Sequence, residues 1–131
     1  MIGLDTNVLV RYIMQDDPKQ SPKVNKLIDA LTPAEPGFVT VVSIIELFWV
    51  LTSCYGLGRD QLAQALEALL GAKQLVIDQA DQVVRALRSF AAGSADFADC
   101  LIERTAAHAG CTKTMTFDVA AAKIAGMTLI A

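Results

Sequence analysis

The sequence predicts an α/β domain built on a parallel sheet, and three observations carry that expectation. Short apolar runs alternate with amphipathic stretches along the whole chain, the pattern of repeated strand–helix–strand units. The strand-like runs are apolar without polar alternation, as expected where helices cover both faces of a parallel sheet. The 131 residues suit one domain, spanning 1–131, with no repeat, low-complexity tract or linker to divide them.

Each element has its own signal. Ile2 to Leu4 is a short apolar strand abutting Asp5. Val8, Leu9, Tyr12 and Ile13 recur at helical spacing until Asp16-Asp17-Pro18 stops the helix. Ser21-Pro22 reads as an N-cap followed by proline in the first turn, opening a helix to about Leu31. Pro33, Pro36 and Gly37 form a loop, and Phe38 to Val42 read as a buried strand. Ser43 to Tyr55 is the next helix, closed by Gly56-Leu57-Gly58. Arg59 to Leu70 is amphipathic through Leu62, Leu66 and Leu69, and Gly71 ends it. Leu75 to Ile77 is a strand, and Asp81 to Ala92 a helix ended by Gly93. Ser94 is expected to cap a long helix to Ala109, closed by Gly110. Thr112 to Phe117 is a strand, Asp118 to Ala125 a helix, and Met127 to Ile130 a last strand.

Composition excludes several classes. With 53% hydrophobic residues and a net charge of −3, the chain is too apolar to be disordered. The acidic balance argues against retention on nucleic acid by bulk positive charge. A domain of this size buries about two-thirds of its unfolded surface and needs no covalent staple. Cys54, Cys100 and Cys111 are odd in number and lack CxxC-type spacing, so reduced, mostly buried thiols of a cytoplasmic protein are expected. No basic-then-apolar leader opens the chain. Phe38 to Leu57 carries one charge, Glu46, and is long enough to span a bilayer. A carboxylate at its centre would cost about 2.5–3.5 kcal/mol there. A buried strand followed by a buried helix explains the stretch better, and no membrane association is expected.

The chemistry-bearing feature is the placement of carboxylates. Phosphate-loop and dinucleotide fingerprints are absent, since Gly56-Leu57-Gly58 follows a helix rather than a strand. His108 is the only histidine and sits near a helix C-terminus, where a dipole-compatible structural role is expected. Asp5, Glu46 and Asp118 each fall at a strand-to-helix junction, the edge where open α/β folds bind ligands. Asp96 and Asp99, three apart, begin the long helix. Each residue has a structural alternative. Asp5 and Asp118 read equally as N-caps, Asp96 and Asp99 as dipole partners, and Ser43-Ile44-Ile45-Glu46 has capping-box spacing. Glu46 also sits between Ile45 and Leu47 in an otherwise uncharged helix, a costly place for an unpaired charge. Converging carboxylates repel at close range, and oxygen-only donors favour Mg²⁺ or Mn²⁺. Such a set suits phosphodiester hydrolysis.

MIGLDTNVLV, from Met1 to Val10, resembles the opening of PIN-domain ribonucleases, in particular VapC-type toxins of toxin–antitoxin pairs. The resemblance continues through RYIMQDDPKQS, VVSIIELFWVL, YGLGR, SADFADCLIERTAAHAGC and TMTFDVAAAKIAG. It implies a three-layer α/β/α sandwich with a central five-stranded parallel sheet, and a Mg²⁺- or Mn²⁺-dependent endoribonuclease acting in translation inhibition. The family's four acidic positions map onto Asp5, Glu46, Asp99 and Asp118, with Asp96 an auxiliary metal or water ligand. Thr6, Asn7 and Thr116 match polar residues that hold the carboxylates. Asp5, Asp99 and Asp118 would bind the ion, and Glu46 would orient or deprotonate the attacking water. The expected products carry a 5′-phosphate and a 3′-hydroxyl. Arg11 is a candidate contact to RNA or antitoxin, or else a partner of Asp16 or Asp17. Glu103 shares the helical face of Asp96, with a solvated surface role expected. The resemblance also implies an antitoxin, received in an apolar groove at Val8 to Ile13 and Ser43 to Tyr55, and the Ala-rich, highly apolar composition leaves room for a homodimer. Two other readings stand beside this one. An aspartyl-phosphate phosphatase would use Asp5 as nucleophile, although Asn7 stands where a second aspartate is usual. A non-catalytic binding module would use the carboxylates only as caps.

Overall fold

The computed structural model describes residues 1–131, which gather into two compact units, Met1–Asp78 and Gln79–Ala131. In the first unit β1 (Ile2–Gly3), β2 (Gly37–Val39) and β3 (Leu75–Ile77) form a parallel sheet in that order. Ile2 faces Gly37, and Gly37 faces Leu75. The connections supply α1 (Thr6–Met14), α2 (Gln20–Ala30), α3 (Val41–Ser53) and α4 (Arg59–Gly71). Leu4, Leu9, Ile28, Val39, Ile44, Leu47, Leu51 and Leu66 are buried in its core. The central strand is crowded. A Cβ at Gly37 would fall 2.8 Å from Leu4 Cδ1 and 2.9 Å from Leu31 Cδ1, so any larger residue there would displace these leucine methyls.

The second unit begins with α5 (Ala80–Ala92) and α6 (Phe97–His108). Phe90 and Phe97 meet edge to face between them, with ring centroids 6.0 Å apart, a favoured aromatic geometry. A β–α–β unit follows: β4 (Met115–Thr116), α7 (Val119–Ile124) and β5 (Thr128–Leu129), with Met115 paired to Thr128 in parallel.

Five strands therefore occur in the expected order and every pairing is parallel, but they close as three plus two. The single five-stranded sheet does not form through backbone hydrogen bonds. The expected Thr112–Phe117 strand retains only two paired residues. Met115 and Phe117 are exposed, so the two-sided burial that sustains longer parallel strands is missing there.

Three caps fall elsewhere than expected. Phe38 to Val42 is not all strand: β2 stops at Val39, and Thr40 caps α3 by accepting from the Ser43 amide at 3.1 Å. Ser43 itself is buried within the helix and receives a hydrogen bond from the Thr40 hydroxyl at 3.2 Å. Ser21 lies inside α2; Asp17 Oδ1 accepts from the amides of Lys19 and Gln20 instead. Asp96, not Ser94, caps α6 by accepting from the Ala98 amide at 3.3 Å. Where several short polar residues precede a helix, the one with extended backbone beside the first turn becomes the cap, and packing selects it. All three thiols are free, but Cys54 and Cys111 are exposed, and Cys100 alone is buried. No helix is long and apolar enough to cross a membrane.

Candidate active site

In the first unit the chemistry gathers where α1 packs on α3. Asp5 follows β1 and caps α1, its Oδ1 accepting from the Thr6 amide at 2.8 Å. The cap turns Thr6 inward, where it is only 8% exposed. Its hydroxyl donates to Glu46 Oε1 at 2.7 Å, a short bond strengthened by the carboxylate charge. Glu46 thus does not close a capping box with Ser43. It is one turn further along a helix that starts at Val41, and it reaches across to α1. Nor does it suffer the burial its apolar neighbours suggest, because the side chain is exposed.

Asp5, Thr6, Asn7, Arg11, Glu46 and Tyr55 line one cavity of about 430 Å³. Asn7 lines it without making a side-chain hydrogen bond. Arg11 meets both neighbouring acids, Asp16 at 3.6 Å and Asp17 at 3.9 Å. Its guanidinium also donates to Gln20 Oε1 at 2.8 Å and to Tyr55 Oη at 3.1 Å. The Gln20 and Lys19 amides, and then Arg11, hold the Asp17 carboxyl below its ordinary range. Cys54 and Tyr55, inside the Ser43 to Tyr55 stretch expected to line a groove, also line this cavity, but the contact between Tyr55 and Arg11 was not legible. Tyr55 lies 44 positions from Arg11, and no spacing rule links residues so far apart.

In the second unit Asp96 caps α6, Asp99 stands in its first turn, and Asp118 caps α7. Asp118 Oδ1 accepts from the amides of Ala120 at 2.8 Å and Ala121 at 3.3 Å. Thr116 supports this turn differently from expectation. Its hydroxyl accepts from the Asp118 amide at 3.0 Å and so fixes the backbone rather than the carboxylate. Partial burial pushes the Asp99 carboxyl above its ordinary value, and the charges of Asp96 and Asp118 push it further. Neither these three nor Asp5 and Glu46 enter an ion pair; ion pairs instead join Arg11 to Asp16 and Asp17, and Arg104 to Glu103. Glu103 is not the solvated residue expected: it is half-buried and grips the Arg104 guanidinium with both oxygens. That hydrogen bond raises the Arg104 guanidinium above its ordinary value. His108 is exposed in the last turn of α6, consistent with its dipole role.

In neither unit do three His, Cys, Asp or Glu side chains close into a metal cage. The donor chemistry nevertheless suits a hard cation. Asp96, Asp99 and Asp118 are oxygen donors carrying unbalanced like charge, and Mg²⁺ commonly needs only one or two carboxylates while keeping several waters.

The molecule is thus an α/β protein whose strand-to-helix junctions carry acidic side chains, most of them unpaired. The PIN domain family matches residues 2–127, and the chain belongs to that family. PIN domains are generally nucleases that use divalent metals. Comparison with curated proteins gives no match.

Proposed function

We propose that the chain is a Mg²⁺- or Mn²⁺-dependent endoribonuclease of one functional domain, spanning 1–131, and the toxin of a toxin–antitoxin pair that inhibits translation in the cytoplasm. The observation that carries this reading is the acidic group Asp96, Asp99 and Asp118, in which partial burial lifts the Asp99 carboxyl and the charges of Asp96 and Asp118 lift it further, with no basic side chain to relieve them. Asp5, Asp99 and Asp118 are the proposed ion-holding residues, with Asp96 auxiliary. Bound there, the ion would supply charge stabilisation and a more acidic water.

The remaining steps belong to side chains. Thr6 orients Glu46 by donating to Oε1, which leaves Oε2 to accept a proton from the attacking water. With water rather than the ribose 2′-hydroxyl as nucleophile and the 3′-oxygen as leaving group, the products carry a 5′-phosphate and a 3′-hydroxyl. Thr116 serves as a supporting group through the backbone of Asp118, and Asn7 lines the cavity beside Asp5 and Glu46. Arg11 lines the same cavity as Asp5 and Glu46, which supports a contact to RNA phosphate. For a protein partner the support is α3. Val42, Ile45 and Trp49 recur along one face and are exposed, Trp49 at 65%, an apolar stripe suited to an antitoxin or a second copy.

The test is cleavage of structured RNA with Mg²⁺ or Mn²⁺ and after EDTA, with end-mapping of the products. Loss of cutting in EDTA and in both Asp5→Asn and Asp99→Asn is expected. An unchanged rate in either variant would overturn the assignment.

A further inference from the structure

A further cavity, of about 220 Å³, is formed by α1 and α2 and lined by Asn7, Val8, Arg11, Gln20, Lys23 and Val24. It shares Asn7 and Arg11 with the cavity that holds Asp5 and Glu46, so the two adjoin at those residues within the first unit. Their charges are opposite. The first is lined by two carboxylates and one cation, the second by two cations and no acid. Lys23 is exposed and enters no ion pair. Gln20 Oε1 accepts from Arg11 Nε at 2.8 Å, which fixes the amide and leaves its Nε2 hydrogens free to donate. Arg11 Nη1 donates to Tyr55 Oη at 3.1 Å, while its Nη2 has no hydrogen-bond partner. The exposed Asn7 amide adds another open donor.

The charge of Arg11 is already offset by Asp16 and Asp17, neither of which lines this cavity. Lys23 therefore supplies the net positive charge, and the guanidinium and two amides supply directed donors. A cation is repelled by such a lining, and a neutral base leaves most of the donors unmatched. A phosphate matches it with negative charge and acceptor oxygens alone. An acidic peptide has similar chemistry, but RNA carries a phosphate at every nucleotide. A strand with one phosphate beside Asp5 and Glu46 brings a neighbouring phosphate to an adjoining cavity. We infer that this cavity seats the backbone phosphate next to the one that is cut, with Lys23 as its charged anchor and Arg11, Gln20 and Asn7 as donors. Its place beside the cut rests on the ribonuclease reading; binding of a backbone phosphate does not.

The experiment titrates the full chain into a fluorescent single-stranded RNA without terminal phosphates, in EDTA, and follows anisotropy over a series of salt concentrations. Lys23→Gln should weaken binding roughly three- to tenfold at low salt and flatten the slope of log Kd against log salt by about 0.7, the value of one phosphate contact on a single strand. Lys26→Gln removes the same charge from an exposed position on the same helix, outside the cavity, and should leave affinity and slope unchanged. Both replace exposed side chains, so folding is kept. In cleavage assays Lys23→Gln should raise KM and preserve kcat. An unchanged slope in Lys23→Gln overturns the site, as does an equal loss in Lys26→Gln or a parent that binds no RNA at low salt. Lys23-dependent binding of hexaglutamate, with RNA binding unchanged in Lys23→Gln, overturns it in favour of a protein partner. Lys23-dependent RNA binding without any cleavage leaves the site standing and overturns the nuclease reading; cleavage with the parent KM in Lys23→Gln does the reverse.

Discussion

Thr6 and Asp99 bear the most specific consequences at the scale of single residues. Thr6→Val removes the hydroxyl that holds Glu46 while keeping the side-chain shape. Stability should fall by about 1 kcal/mol, and kcat on RNA by roughly 10- to 100-fold, with Thr6→Ser restoring most of the rate. A kinetic series with parallel thermal melts checks this. Asp99 acts in the opposite sense on stability. Burial and the charges of Asp96 and Asp118 raise its carboxyl in the folded chain, so the folded state holds the proton more tightly than the unfolded one. Ionised Asp99 therefore lowers stability above the raised value, and protonation relieves the penalty as pH falls towards the ordinary carboxylate range. Asp99→Asn should melt higher than the parent at pH 7, by no more than about 1 kcal/mol for so exposed a group, with the gap closing in acid. Added Mn²⁺ should then raise the Tm of the parent but not of Asp99→Asn. A parent that shows no shift with Mn²⁺ would remove the metal from the proposal. Asp5 and Asp118 were legible as helix-starting acids because each closely follows a strand, whereas Asp96 and Asp99 follow a helix and were legible as a pair three apart. The pairing of Arg11 with Asp16 and Asp17 was legible as one of its alternatives; its hydrogen bond to Tyr55 was not, since side-chain reach depends on how helices cross.

Helix starts are where local sequence signals proved ambiguous. Thr40 and Ser43 are both good caps three residues apart, and the β-branched Val41-Val42 pair favours a strand. The folded chain starts α3 at Val41, and burial of Ile44 and Leu47 rewards that register. Thr40→Ala should cost about 1 kcal/mol in urea unfolding, more than Ser43→Ala; the reverse order would contradict the cap. At α7 the cap and the chemistry share one side chain. Asp118→Asn should keep the hydrogen bonds to Ala120 and Ala121 and hence the Tm, yet lose cleavage, whereas Asp118→Ala should lose both, with about 1 kcal/mol of stability. A drop in Tm for the asparagine variant would show that charge, not capping, stabilises this turn.

Over the whole molecule, charge is distributed rather than scarce. The chain has 11 basic and 14 acidic residues. Setting aside Asp5, Glu46, Asp96, Asp99 and Asp118 leaves 11 against 9, a balance of +2. Affinity for RNA should therefore be modest and fall with salt, log Kd rising by roughly 0.7 per phosphate neutralised for each decade of salt; a salt-independent Kd would contradict an electrostatic contact. The sequence by itself determined the α/β class, the order of elements, and the acidic junction positions, because apolar periodicity and turn residues act over short spans of chain. Tertiary structure alone decided which caps are used, that the strands pair as three plus two, that Thr6 holds Glu46, and that Gln82 Oε1 lies buried without a partner. Those features depend on which distant side chains meet and which lose contact with water, and burial of that kind has no local signature in the chain.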